Sequence, residues 1–246
     1  MKKLKTKFAI IASLAFVSTI WAQNNPAKKP EISFEAFETK LKQASPNAQI
    51  LDPRTPEEYN QNHLKGAINT NVADSNKIEL QKVIDKLDKQ KPVFVYGINY
   101  GGRGSQLAKK LKEQHFSEVY ELPGGISKWI GAGRPVESTT AEGLTLAEYK
   151  KLLASDKLVL VDVYSKYCGT CKKLLPIVDS VANEESSTVK VIKIELFDNK
   201  QLGKELNIES VPTLILYKDD KVVWQKRGLT PKTILEGYIH DEIARK

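Results

Sequence analysis

The chain has 246 residues, which is enough for two domains of about 100 to 120 residues each. Hydrophobic residues make up 41% of the sequence and charged residues 28%, which excludes a disordered chain and a membrane protein with several spans. The formal charge of +8 falls to +4 once the four lysines of residues 1–22 are removed. Because the other basic residues are interspersed with acidic ones, we expect no nucleic acid partner.

Residues 1–22 have the features of a secretory signal peptide. The basic stretch MKKLKTK is followed by the apolar run FAIIASLAFVSTI and then by polar residues. The run is shorter than the roughly 20 residues of a membrane span, and Ala22 is a small residue at the expected cleavage position. We therefore expect cleavage after Ala22 and export to the periplasm. An uncleaved anchor is the alternative, because Ile20 is not ideal at the third position before the cut.

The first predicted domain, residues 31–137, alternates helices with strands, a pattern that implies a parallel sheet flanked by helices. A turn-rich stretch follows its first strand. The predicted helices are SFEAFETKLKQ, KIELQKVIDKL and SQLAKKLKEQ, and the predicted strands are AQILD, PVFVY and EVYEL. The segment VESTTAEG then shows no apolar periodicity, and we predict a linker at residues 138–143.

Three motifs of this domain resemble the rhodanese family: LDPRTPEEY, HLKGAIN and LPGGISKWIGAGRPVE. Asn62 stands where that family has a glycine. In rhodaneses, a strand like PVFVY ends in a catalytic cysteine whose persulfide lies in a cradle of backbone N–H groups at a helix N-terminus. Gly97 occupies that position, or Asn99 if the loop is counted back from the next helix. No cysteine lies between residues 31 and 143, so sulfurtransfer by this domain is chemically excluded.

The loop GINYGGRGS has other possible interpretations. Its GxxxxG spacing is that of a phosphate-binding loop, but Arg103 and Gly104 replace the lysine and the hydroxyl residue that such a loop needs. Ser105 has no histidine partner nearby, so we predict a helix N-cap rather than a nucleophile. We therefore interpret Gly97, Asn99, Arg103 and Ser105 as a degenerate, non-catalytic loop. The hypotheses for it are anion binding, through Arg103 and the N–H groups, and docking of proteins.

The second predicted domain, residues 144–246, also alternates helices with strands. Asp219-Asp220 lies between the last two strands and indicates a hairpin, so we expect a mixed sheet flanked by helices. The predicted helices are TLAEYKKLLAS, the segment that begins at CGTC, one between the second and third strands, and TILEGYIHDEIARK. The predicted strands are KLVLVDVYS, VKVIKIEL, TLILYKDD and KVVWQKRG.

The two cysteines of the chain, Cys168 and Cys171, form a CxxC pair that follows a strand and opens a helix. A bridge across two residues closes too short a loop to stabilise the fold much, so redox chemistry is the better interpretation. The helix N-terminus and Lys172 favour the Cys168 thiolate, which is the form that attacks disulfides. We expect the pair at a solvent-reachable helix tip. A zinc half-site is the alternative, but the chain has no second CxxC and only scattered histidines.

Asp162 lies inside the apolar strand segment VLVDVY. Burial of a carboxylate raises its pKa, which suits a proton acceptor. The alternative is an aspartate on an exposed strand edge.

Residues from Leu144 onward closely resemble thioredoxin. The resemblance implies that Cys168 and Cys171 are the redox pair, that Asp162 is the buried aspartate, and that Lys193 is the lysine that pairs with it. Tyr167 stands where thioredoxins usually have tryptophan, and Thr170 where they usually have proline. The remaining residues that it assigns to the site are Gly169, between the cysteines, Lys172, and Pro212, a cis-proline that faces the CxxC.

The resemblance implies a thiol–disulfide oxidoreductase that acts on protein substrates and needs no cofactor or metal beyond the redox-active disulfide. Cys168 would attack the substrate, and Asp162 would take the proton of Cys171, which then resolves the mixed disulfide. An exported reductase would be recharged by a membrane electron-relay protein. We expect a reductase, with three alternatives: a thiol oxidase or isomerase, a redox-linked binding or chaperone protein, and sulfur relay through Cys168.

Overall fold

A computed structural model of the chain describes residues 31–72 and 77–245. The predicted signal peptide, residues 1–22, lies outside the described residues. Within those two ranges, no helix is both long enough and apolar enough to cross a membrane.

The N-terminal half is built on a parallel sheet. Its strand order is β3-β1-β4-β5, and every neighbouring pair is parallel, as predicted. Two further strands, β2 and β6, pair with each other in antiparallel fashion. In chain order the elements are α1 (Phe34–Ala44), β1 (Gln49–Asp52), α2 (Pro56–Gln61), β2 (Asn62–His63), β3 (Ala67–Asn69), α3 (Lys77–Ile84), β4 (Val93–Val95), α4 (Gly102–Glu113), β5 (Val119–Glu121), α5 (Gly125–Gly131) and β6 (Glu137–Ser138).

The C-terminal half is built on a mixed sheet in the order β10-β9-β7-β8. The pair β7–β8 is parallel, whereas β9 runs antiparallel to both β7 and β10. The elements are α6 (Leu146–Leu153), β7 (Leu158–Tyr164), α7 (Gly169–Glu184), β8 (Val189–Glu195), a 3₁₀ turn (Leu196–Asp198), α8 (Lys200–Glu205), β9 (Thr213–Lys218), β10 (Lys221–Arg227) and α9 (Lys232–Ala244).

Local sequence signals account for much of this second domain. The hairpin at Asp219-Asp220 is confirmed, and both residues have positive φ, which aspartate tolerates better than most residues. Thr145 and Glu148 form a capping box that starts α6. The central strand β7 reads LVLVDVY and is buried along nearly its whole length, as expected for a strand covered on both faces.

Several short elements differ from the prediction. The turn-rich stretch contains α2, β2 and β3, and the segment VESTTAEG contains β6, which lies across the predicted start of the linker. Helix α5 was not predicted, because GISKWIG is too short for a periodic pattern and begins and ends with glycine. The short strands and α5 depend on distant partners, which a local pattern does not reveal.

The two domains share one hydrophobic core. A single cluster of buried side chains includes Phe94 and Tyr96 of the first domain and Val163 and Ile208 of the second. Helix α5 packs against α8. At this contact the backbones are so close that a Cβ atom on Gly131 would lie 1.7 Å from the carbonyl oxygen of Ile208. The domains are therefore held together by direct packing.

Candidate active site

The redox pair lies at the N-terminus of α7. Cys168 is the N-cap residue, and its sulfur accepts the backbone N–H of Cys171 at 3.3 Å. Both cysteines are free thiols. The Cys168 sulfur also lies 3.6 Å from the carbonyl oxygen of Val211, to which its thiol donates. Backbone groups therefore surround the sulfur.

The pair is electrostatically asymmetric. The interaction with the Cys171 side chain, aided by the N–H groups of Cys171 and Thr170, lowers the pKa of Cys168 to about 7, although burial opposes the shift. The same interaction with Cys168, together with burial, raises the pKa of Cys171. Near pH 7, a large fraction of Cys168 is therefore thiolate, whereas Cys171 remains a thiol that needs a base.

Asp162 lies in the middle of β7, and only 2% of it is exposed. Burial raises the pKa of its carboxyl to about 6. Within the described structure, its Oδ1 atom has no hydrogen-bond partner. Its charge raises the pKa of both cysteines. The position suits a proton acceptor behind the redox pair.

Lys193 does not pair with Asp162 in the way that the resemblance implied. The two residues are register partners on the adjacent strands β7 and β8, but the Lys193 ammonium bonds to Asp179 of α7. Lys193 still lowers the pKa of Asp162 at a distance, as the second cause after burial. The reason for the difference is that Asp179 is half-exposed, so the ammonium can bind it without losing its own solvation.

The other predicted thioredoxin-type residues lie around the same sulfur. Tyr167, Gly169, Thr170 and Lys172 line a cleft that opens beside Cys168. The Val211–Pro212 peptide bond is cis, and Pro212 follows the residue whose carbonyl oxygen faces the Cys168 sulfur.

The opposite wall of this cleft is the glycine-rich loop of the first domain. Gly97, Asn99 and Arg103 line it, and the cleft measures about 650 Å³. The structure thus brings these three loop residues to the redox pair of the second domain. Nothing in the sequence of either domain alone indicates this meeting.

Asn99 makes the closest link between the loop and the redox site. Its Nδ2 donates to the carbonyl oxygen of Val211 at 2.7 Å, and its Oδ1 accepts the N–H of Val211 at 3.2 Å. Both main-chain groups of the residue next to the cis-proline are therefore bonded to one side chain of the other domain.

Two predictions about the loop are corrected. Ser105 is not a helix N-cap, because α4 begins at Gly102, and the Ser105 hydroxyl donates to Glu121. Arg103 is bonded to the buried Glu58, and the N–H of Gly101 donates to Glu121. Since carboxylates already bind these groups, the geometry does not favour the anion-binding hypothesis.

Cys168 is less accessible than expected of a helix tip. Only 4% of the residue is exposed, and its access to solvent is through the cleft that it lines. The reason is that its sulfur lies against the Val211 carbonyl and the Cys171 N–H and faces the loop of the first domain across the cleft.

Sequence reasoning missed two residues whose hydrogen bonds join the two domains. Asn62 is fully buried, and its Nδ2 donates to the carbonyl oxygen of Phe197 at 3.0 Å. Gln61 donates to Asp198 at 2.7 Å. The one available signal was that Asn62 departs from the glycine of the rhodanese pattern.

Comparison with known families finds two domains in the chain. The family model described as a rhodanese-like domain matches residues 35–132, and the thioredoxin family model matches residues 140–241.

Individual relatives match the second domain. Thioredoxin of the red alga Porphyra purpurea is 36% identical over 102 residues, which are 41% of this chain and 95% of that protein. Thioredoxin of Rickettsia felis is 38% identical over 104 residues, 42% of this chain and 99% of that protein. Among solved structures, the germline-specific thioredoxin Deadhead of Drosophila melanogaster is 27% identical, with 42% of this chain and 98% of that chain covered and a TM-score of 0.36. The chain therefore belongs to the thioredoxin family, carries a rhodanese-like domain before its thioredoxin domain, and is a thiol–disulfide oxidoreductase.

Proposed function

We propose that this protein is an exported reductase of protein disulfides, with Cys168 as the nucleophile, Cys171 as the resolving thiol and Asp162 as the base. The observation that carries the proposal is the asymmetry of the pair: the pKa of Cys168 is lowered to about 7 and that of Cys171 is raised. Of the two cysteines, only Cys168 lines the cleft, so its sulfur is the one that an incoming disulfide contacts first.

The reaction balances without a cofactor. The Cys168 thiolate attacks one sulfur of the substrate disulfide, the substrate S–S bond breaks, and the first substrate thiolate leaves and takes up a proton. Asp162 accepts the proton of Cys171, whose sulfur then attacks Cys168 and releases the second substrate thiol. The substrate gains two electrons, and the pair ends as a disulfide.

The acidity of Cys168 supports the proposal that the pair reduces its substrates rather than oxidises them. A strongly oxidising pair owes its potential to a very stable thiolate, with a pKa several units below neutrality. A Cys168 pKa of about 7 gives only modest thiolate stabilisation, which favours a reductase over an oxidase.

The proposal of export rests on residues 1–22, whose basic and apolar segments are typical of a signal peptide. In an exported compartment, a membrane electron-relay protein would return electrons to the pair.

The proposal includes a non-catalytic role for the rhodanese-like domain. That domain contains no cysteine, yet its loop forms one wall of the cleft at Cys168. It can therefore act on the reaction only through contact, as a docking module that shapes how substrates reach Cys168.

The test is single-turnover reduction of insulin by the reduced full-length chain, compared with its variants. Cys168→Ala is expected to abolish reduction. Asp162→Asn is expected to form the mixed disulfide at a near-normal rate but to release it slowly, because Cys171 loses its base. Full activity of either variant would contradict the assigned roles. Lys150→Gln, on the exposed surface of α6, is the control and should retain the activity of the unmodified chain.

Capture of substrates separates the alternatives. Cys171→Ser should retain covalently linked client proteins, and a redox-linked binding protein or chaperone would retain none. Trapping of free thiols in cells should find the pair mainly as a dithiol, whereas an oxidase would be found mainly as a disulfide. Mass spectrometry that finds a persulfide on Cys168 would favour sulfur relay.

A further inference from the structure

The main-chain N–H and C=O groups of Val211 are already hydrogen-bonded to the Asn99 side chain. An extended polypeptide that approaches the Cys168 sulfur can add to exposed main-chain N–H and C=O groups as an extra strand. At Val211, the residue whose carbonyl oxygen faces that sulfur, the Asn99 side-chain amide bonds to both groups. The amide offers the same donor and acceptor that a substrate backbone would offer.

The loop that carries Asn99 is fixed in place. The carbonyl oxygens of Gly97 and Ile98 accept the N–H groups of Ile126 and Ser127 at 2.9 and 3.0 Å. A Cβ atom on Gly125 would lie 2.6 Å from both carbonyl oxygens, so α5 lies directly against the loop backbone. These contacts hold the backbone that carries Asn99 beside Val211.

The remaining approach to the sulfur is positively charged. Lys172 and Lys173 are exposed and line the cleft, together with the N-terminus of α7. Of the described residues that line it, Glu58 is the one acidic side chain, and it is bonded to Arg103. The two lysines therefore have no acidic partner in the cleft wall.

We propose that Asn99 is a specificity-determining residue: it blocks strand-like docking of substrates at Val211 and leaves the basic cleft as the entrance, so that the enzyme selects disulfides flanked by acidic residues on short segments. This inference rests on the proposed reductase function and adds the class of substrate. Selection by the cleft depends on its positive charge, and the thiol–disulfide exchange at Cys168 is unchanged.

The experiment measures single-turnover rates of the reduced full-length chain with three disulfides. Two are disulfide-linked dimers of the tripeptides acetyl-Glu-Cys-Glu-amide and acetyl-Lys-Cys-Lys-amide, which differ only in the sign of the flanking charges. The third is insulin, whose longer chains can pair as a strand. We expect the acidic dimer to react about tenfold faster than the basic dimer, and insulin to react slowly.

Variants test the two parts of the inference separately. Asn99→Ala should raise the ratio of the insulin rate to the acidic-dimer rate by about tenfold. Gln61→Ala removes another bond between the domains, at Asp198, and should leave this ratio unchanged.

The double change Lys172→Gln and Lys173→Gln should lower the ratio of the acidic-dimer rate to the basic-dimer rate about tenfold. The matched control Lys150→Gln with Lys151→Gln removes the same charge from α6 and should not alter it. Unchanged ratios in the Asn99 and Lys172/Lys173 variants would overturn the inference while leaving the reductase intact. A wild-type chain that reduces none of the three disulfides would instead refute the proposed function.

Discussion

Replacement of Asp162 by asparagine should stabilise the reduced protein in a way that depends on pH. Burial raises the pKa of this carboxyl from 3.8 to about 6. Because the folded state holds the proton more tightly than the unfolded state, stability falls as pH rises from 3.8 to 6 and is constant above that window. The difference between the two pKa values corresponds to about 3 kcal/mol. Asp162→Asn should therefore raise the free energy of unfolding by about 3 kcal/mol at pH 8.

Urea unfolding of the reduced protein at pH 4 and pH 8 checks this magnitude. At pH 4 the aspartate is almost fully protonated in the folded state and only partly ionised in the unfolded state, so the gain should fall below about 1 kcal/mol. Asp156→Asn, at an exposed position in the same domain, is the control and should change stability little at either pH. A gain that is the same at both pH values, or no gain at pH 8, would refute the argument that Asp162 carries a poorly solvated charge.

Two further predictions concern the thiols and the domain contact. The rate of alkylation of the reduced protein by iodoacetamide should rise through about pH 7 and label Cys168 before Cys171, because the pKa of Cys168 is lowered and that of Cys171 raised. Peptide mapping checks this order, and equal labelling would contradict it. Gly131→Ala should lower the free energy of unfolding by about 1–3 kcal/mol or more, since its Cβ would collide with the Ile208 carbonyl. The control Gly237→Ala, in α9 with open space around it, should instead stabilise by about 0.5–1 kcal/mol in the same urea titration.

The fold could be predicted from the sequence where an element is long and its own signals agree. The strand β7 has a continuous apolar run, and the hairpin at Asp219-Asp220 has turn residues that tolerate positive φ. The short strands β2 and β6 could not be predicted, because each is only two residues long and exists through pairing with the other. The helix α5 is stabilised by packing on α8, which local propensity does not encode.

The site could be predicted in part for a similar reason. The order of strand, CxxC and helix places Cys168 at the N-terminus of α7, and the apolar surroundings of Asp162 account for its raised pKa. The bond of Lys193 to Asp179 was not predictable, because it depends on how α7 lies against β8. The loop that faces Cys168 across the cleft belongs to the other domain, so no motif within the thioredoxin-like half could indicate it.

The contact between the domains explains two residues at which this chain differs from the rhodanese pattern, Asn62 and Asn99. Asn62 stands where that pattern has glycine, and its amide binds the Phe197 carbonyl of the thioredoxin domain. Asn99, in one of the two registers, stands where the pattern has the catalytic cysteine, and its amide binds Val211. Each amide adds a donor to a carbonyl oxygen of the thioredoxin domain, and Asn99 also accepts the Val211 N–H; one such hydrogen bond contributes about 0.5–1.5 kcal/mol. The rhodanese-like domain, which contains no cysteine, therefore contributes to the active cleft through the contacts of its glycine-rich loop.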